Sequence, residues 1–209
     1  MAVVTTYSGL IQTIQDWMSR DDLAAMAPNY VQNFEERFYR QPKNYGPWME
    51  SAYSTAMSSG VSAVPASFLG WKVVTLSTTP ARKLRPVSLA QLYDEFPRGG
   101  GRSIPSLIAR NGSNFEYGPF PSSDFTVSGS YYAKPTALRS AASDAVAHYL
   151  ILNAPDLLLY GSLIEAETHR VRDERVALWQ AKYAEALGDY RDLQGSQNLS
   201  GGPLQVRVG

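Results

Sequence analysis

The chain has 209 residues, enough for one sizeable core with a small appendage. Lys+Arg and Asp+Glu both number 19, so no net charge draws it toward nucleic acid or an anionic membrane, and the absence of cysteine excludes disulfides, thiolate catalysis and Cys-ligated metal sites. MAVVTTYSGLIQ at the start carries no basic leader, and no stretch approaches the roughly 20 apolar residues of a membrane span, so the expectation is a soluble, unprocessed chain.

Helical spacing dominates the N-terminal region. Tyr7, Leu10, Ile11, Ile14, Trp17 and Met18 form one apolar face, and after Pro28 the stripe Val31, Phe34, Phe38 predicts a second helix packed on the first as a hairpin. Residues 41–65 are polar and Ser-rich, punctuated by Pro42, Gly46, Pro47 and Gly60, and show no period that assigns an element. The period then changes. Trp71, Val73 and Thr75 alternate with Lys72, Val74 and Leu76 as a strand apolar on both faces, with residues 84–87 as its expected partner.

In "VSLAQLYDEFP", Ser88 and Gln91 match a capping box before Leu89, Leu92, Tyr93 and Phe96, and Pro97 with the run Gly99-Gly100-Gly101 ends that helix. The glycine run lacks the GK[ST] ending of a phosphate loop, so it reads as a flexible loop. "SLIARNGSNFEYGPFPSSDFTVSGSYYAKP" predicts a strand, a type I′ turn at Asn111-Gly112, a second strand, a Gly-Pro corner and a third strand with Phe125, Val127, Gly129 and Tyr131 on one face. Helices resume over 141–152, placing His148 on an apolar helix, and again from Pro155. A final helix carries the stripe Val176, Trp179, Tyr183, Leu187, Tyr190. The fold class expected is α+β. A mostly helical bundle (5–40 and 138–193) holds a small, largely antiparallel sheet inserted at about 65–133, all one domain over 1–193, with 194–209 as a flexible arm.

Glu165, His169 and Asp173 recur at steps of four and would share a face on a continuous helix, a pattern suited to a metal or to proton transfer. Asp173, however, stands where an N-cap would sit before Glu174, and an ion-pair set on a helix surface is the reading adopted. No G-x-S-x-G elbow or cofactor motif is present, and no cofactor or metal is expected. Trp17, Phe34, Trp71, Tyr131, Leu159, Tyr160, Gly161, Leu163, Trp179 and Tyr183 are the expected core, with Gly161 suited to close helix approach. Tyr131-Tyr132 ends a strand, one ring inward and one outward. In the tail "QGSQNLSGGPLQVRVG", Leu204, Val206 and Val208 alternate with Gln205 and Arg207 behind a Gly/Ser tether, a strand pattern that either satisfies its backbone on another subunit's sheet edge or is a frayed terminus.

In layout the chain resembles the adaptor, or head-to-tail connector, proteins of tailed bacteriophages. The resemblance rests on Pro65, Phe68, Pro105, Gly112, Pro119, Pro121, Tyr131, Tyr132, Pro155, Asp156, Leu159, Tyr160, Gly161, Leu163, Glu165, Ala166, Trp179 and Tyr183 in order, over about residues 5–190. It implies a structural virion protein and no enzyme: a dodecameric ring below the portal vertex, made in the host cytoplasm, that continues the DNA channel. The implied partners are the portal, neighbouring copies, a neck or tail protein and genomic DNA, with no membrane. It also implies that arm residues Leu199, Leu204, Val206, Arg207 and Val208 contact the portal. Two other readings stay open: a different neck or tail-completion protein, and a small metal-dependent hydrolase using Glu165, His169 and Asp173.

Overall fold

The structure is a computed structural model that describes residues 4–18, 25–97, 101–139, 148–168 and 175–198. Contacts divide the chain into two units, residues 1–48 with 136–209 and residues 49–135. The class is α+β, with six α-helices and two sheets among the described residues.

The discontinuous unit is helical: α1 (Tyr7–Met18), α2 (Ala27–Tyr39), α4 (Tyr149–Asn153), α5 (Pro155–Thr168) and α6 (Arg175–Asn198). Helix α5 is its axis. Leu157, Leu158, Leu159, Gly161, Ser162, Leu163 and Ala166 are all buried, because LLLYGSLI is apolar almost all round and can accept neighbours on several sides. Helices α1, α2, α4 and α6 all pack against it. The expected α1–α2 hairpin is therefore a minor contact, and both helices lean chiefly on α5. Thr6 opens α1, its Oγ1 accepting the Gly9 amide at 3.1 Å.

Two sequence expectations are corrected in this unit. His148 is not inside a helix: residues 141–147 lie outside the described residues, and His148 is the extended N-cap of α4, its Nδ1 accepting the Leu150 amide. The arm does not begin at Gln194, since α6 runs to Asn198. Gln194 is buried there and donates to Tyr149 Oη at 3.0 Å, so that contact holds Gly195 and Ser196 in the helix despite their low propensity.

The continuous unit carries two four-stranded sheets in place of the single small one expected. Their strands are β1 (Glu50–Ala56), β2 (Val61–Ala63), β3 (Phe68–Leu76), β4 (Arg82–Lys83), β5 (Arg85–Val87), β6 (Leu107–Asn111), β7 (Asn114–Gly118) and β8 (Thr126–Ala133), with helix α3 (Leu89–Glu95) between β5 and β6. The orders are β1-β8-β3-β4 and β2-β7-β6-β5, antiparallel except for the β5–β6 pair. The 84–87 segment does not simply pair with β3. Its Leu84 amide bonds Val74 O at 2.9 Å, and the chain then leaves for the second sheet, where β5 lies beside β6.

The sheets share one core of Tyr53, Met57, Val74, Leu76, Leu84, Ile108, Phe115, Tyr117, Val127 and Tyr131. Trp71 and Val74 both meet it although they differ in strand parity. Register shifts between Phe68/Gly70 and Trp71/Val73 explain this, because each extra residue in β3 flips the face of those that follow. The predicted I′ turn also moves. Asn111 pairs with Asn114, leaving Gly112-Ser113 as the loop, and only Gly112 has positive φ (58°), the II′ pattern. The I′ pattern falls at Ser59 (φ 50°) and Gly60 (φ 77°), inside the segment that showed no period.

Candidate interaction surfaces

Helix α5 ends at Thr168 and α6 starts at Arg175, and His169 and Asp173 lie outside the described residues. Glu165 Oε1 is 2.8 Å from Arg37 Nη1, an ion pair from α5 to α2. Among the described residues no group of three or more His, Asp or Glu side chains is arranged to hold a metal ion, and no helix is long and apolar enough to cross a membrane. The arm residues Leu199, Leu204, Val206, Arg207 and Val208 are likewise outside the described residues.

The core set divides between the units. Trp17 meets Tyr160 edge-on at 6.1 Å, and Phe34 lies against Gly161 and, at 5.8 Å, against Tyr183. Leu159, Leu163 and Trp179 are buried, with the Arg175 guanidinium 5.2 Å over the indole. Trp71 and Tyr131 belong to an aromatic cluster with Tyr53, Phe68 and Phe115, whose centroids stand 5.0–6.4 Å apart.

Polar clusters that the sequence did not disclose tie elements together. Trp48 Nε1 donates to Tyr190 Oη at 3.0 Å, which donates to Asn44 O at 2.9 Å, while Arg191 donates to Asn44 Oδ1. Burial pushes the Tyr190 hydroxyl up to about 12, and the bond from Trp48 opposes the rise, so the phenol stays a neutral link. Between the sheets, Ser62 Oγ lies 2.9 Å from Tyr53 Oη and 2.6 Å from Tyr117 Oη. Burial raises the Tyr117 hydroxyl well above its ordinary value. Each cluster joins groups far apart in sequence, and nothing in local spacing announces them.

Two features of the β-unit face outward. One is a cleft of about 600 Å³ between α3 and the β7 end, lined by Val61, Leu92, Tyr93, Phe96, Pro119 and Phe120 with Glu95 and Glu116. Its carboxylates are engaged: Glu116 accepts from Tyr93 and Asn111, and Glu95 from Arg85. The other is strand β1, at the end of its sheet with β8 its one ladder partner among the described residues.

The fold is that of an α+β protein whose described polar clusters hold its elements together and whose β-unit presents a strand edge and a largely apolar cleft. No curated protein matches the chain. The chain belongs to the SU10 adaptor protein family, whose model matches residues 5–207. That is a phage head-tail adaptor family, which makes the protein a structural component of a bacteriophage virion.

Proposed function

We propose that the protein forms a ring, dodecameric in the reading adopted, that sits in the neck below the portal vertex, joins the portal to the neck or tail, and continues the channel through which genomic DNA passes. The observation that carries this reading is the match to a phage head-tail adaptor family over residues 5–207. A closed ring of identical copies requires two different patches on each subunit that fit one another. The surface has candidates of unlike shape, a strand edge and a cleft, which supports a heterologous contact over an isologous one.

Assembly is the test. Full-length protein mixed with the portal protein of the same phage is expected to give a complex whose native mass contains about one ring of adaptor per portal. A chain that stays monomeric beside portal, or that binds tail tube and ignores portal, overturns the reading in favour of a tail-completion role.

A further inference from the structure

We infer that the open edge of β1 is a docking site for an extended segment, and that its occupant is the C-terminal stretch of a neighbouring copy, residues 203–208. The inference deepens the ring reading above and rests on it for the supply of a second copy.

The β1–β8 ladder runs from Glu50↔Tyr132 to Ala56↔Thr126 without a register shift, and Met57 N continues it onto Phe125 O at 2.8 Å. In an antiparallel ladder, alternate residues turn their amide and carbonyl toward the partner. Met57, Thr55, Tyr53 and Ser51 therefore bond β8, and Ala56, Ser54 and Ala52 point theirs away. Among the described residues those three make no hydrogen bond on that side, and all three are exposed. Edges of this kind are commonly blunted by a lysine, a proline, a bulge or shortness. From Ser51 to Ala56 β1 has none of the four: it carries no charge, no proline and no bulge, and it is longer than β2, β4 or β5. The contrast with β2 is instructive. There Val61 bonds Ser58 in both directions and Ala63 O accepts from Tyr53 Oη, so that edge is already spent.

The chain itself contains a segment of matching form. Eleven residues follow Asn198, a reach of about 36 Å when extended. They end in Leu204-Gln205-Val206-Arg207-Val208, five residues that alternate apolar and polar, as long as the open run from Ala52 to Ala56. Pro203 precedes them, where a strand tolerates a missing amide. Added beside β1, Leu204, Val206 and Val208 fall on the side of Tyr53, which is buried in the core shared by the sheets. Gln205 and Arg207 fall on the side of Ala52, Ser54 and Ala56, which is exposed. The arm thereby links one copy of the ring to the next.

The absence of cysteine makes the test direct. Full-length chains carrying Ser54→Cys are mixed with full-length chains carrying a single cysteine in place of Leu204, Gln205, Val206, Arg207 or Val208, and oxidised. Disulfides between the two populations are expected from Gln205→Cys or Arg207→Cys and lost at Leu204→Cys, Val206→Cys and Val208→Cys, with the preference reversed when Thr55→Cys replaces Ser54→Cys. Native mass is measured in parallel. Rings without cross-links, or cross-links without the two-residue alternation, overturn the inference while leaving the ring reading intact. In a control chain carrying both Ser54→Cys and Arg207→Cys, a disulfide formed within the chain while the mixed single-cysteine chains form none also overturns it, because the arm then serves its own subunit. A chain that stays monomeric in the mass measurement counts against the ring reading, and the cross-link pattern still decides where the arm docks.

Discussion

Glu35 is a carboxylate in the interior of the helical unit, 2% exposed, with both oxygens 3.2 Å from the Leu138 amide. It fastens the returning chain to α2 at the point where the helical unit resumes. Charge-assisted bonds of this kind are worth about 1.5–3 kcal/mol, and removing the acceptor leaves a buried amide without a partner. Glu35→Ala is therefore expected to lower unfolding free energy by about 2–3 kcal/mol, with Glu35→Gln milder, in urea titrations. A loss under about 0.5 kcal/mol, the range of ordinary surface changes, means that the clasp is not structural. His148 shows the same principle through pH. Burial holds the imidazole below its ordinary value, and its Nδ1 must stay unprotonated to accept from Leu150. The unfolded chain then binds a proton more readily than the folded one, so the contribution is complete above about pH 6.5 and is lost as pH falls below it. His148→Asn keeps a side-chain cap without the titration, and is expected to flatten the stability slope between about pH 6.5 and 5.5. An unchanged slope in that variant assigns the acid sensitivity to other groups. Neither residue announced its role in the sequence. Glu35 has no local spacing that marks it as buried, and His148 reads as a helical residue, because burial and capping depend on which distant segment arrives.

At the scale of elements, legibility followed periodicity. The α1, α2 and α6 stripes and the Ser88 cap were readable because each repeats or pairs within a few residues, and Gln91 N does donate to Ser88 Oγ at 3.2 Å. The box is half formed, since the Gln91 side chain turns to Glu95. Strands β1 and β2 were illegible for a physical reason: an edge strand touches the core on one face only, and in ESAYSTA just Tyr53 is fully buried. Their hairpin turn was hidden too, because Ser59 takes a positive φ usually left to Asn, Asp or Gly. Bulges in β3 broke the two-residue period that would have separated its faces. Helix packing gives the sharpest test at this scale. A Cβ on Gly161 would stand 2.2–2.7 Å from ring atoms of Phe34, which is fully buried. Gly161→Ala gains about 0.5–1 kcal/mol of helix propensity but overpacks the α2–α5 contact, which costs about 1–3 kcal/mol. The clash is expected to win, and Phe34→Leu in the same chain is expected to recover part of the loss. A Gly161→Ala protein with a raised melting temperature shows that α2 and α5 can separate without penalty.

For the whole molecule, the two units differ in how they depend on the chain. The β-unit is continuous, and its first and last strands are ladder partners, Glu50 opposite Tyr132, so its ends meet without help from the rest. Its core is built from its own two sheets. The helical unit is split across the sequence: α1 and α2 come from before the β-unit, and α5, the helix both lean on, from after it. Isolated helices shorter than about 12–15 residues are marginal in water, and α1 and α2 have 12 and 13. Excision should therefore act asymmetrically. Residues 49–135 alone are expected to fold, giving a cooperative urea transition followed by Trp71 emission. Dilute solution is needed, because the open β1 edge promotes association. Residues 1–48 alone are expected to show little helical circular dichroism, and to gain it when residues 136–209 are added. If 49–135 shows water-exposed Trp71 emission without denaturant, the β-unit needs its host to fold. If instead 1–48 is helical by itself, α5 is not what orders α1 and α2, and the placement of the helical core around that axis is wrong.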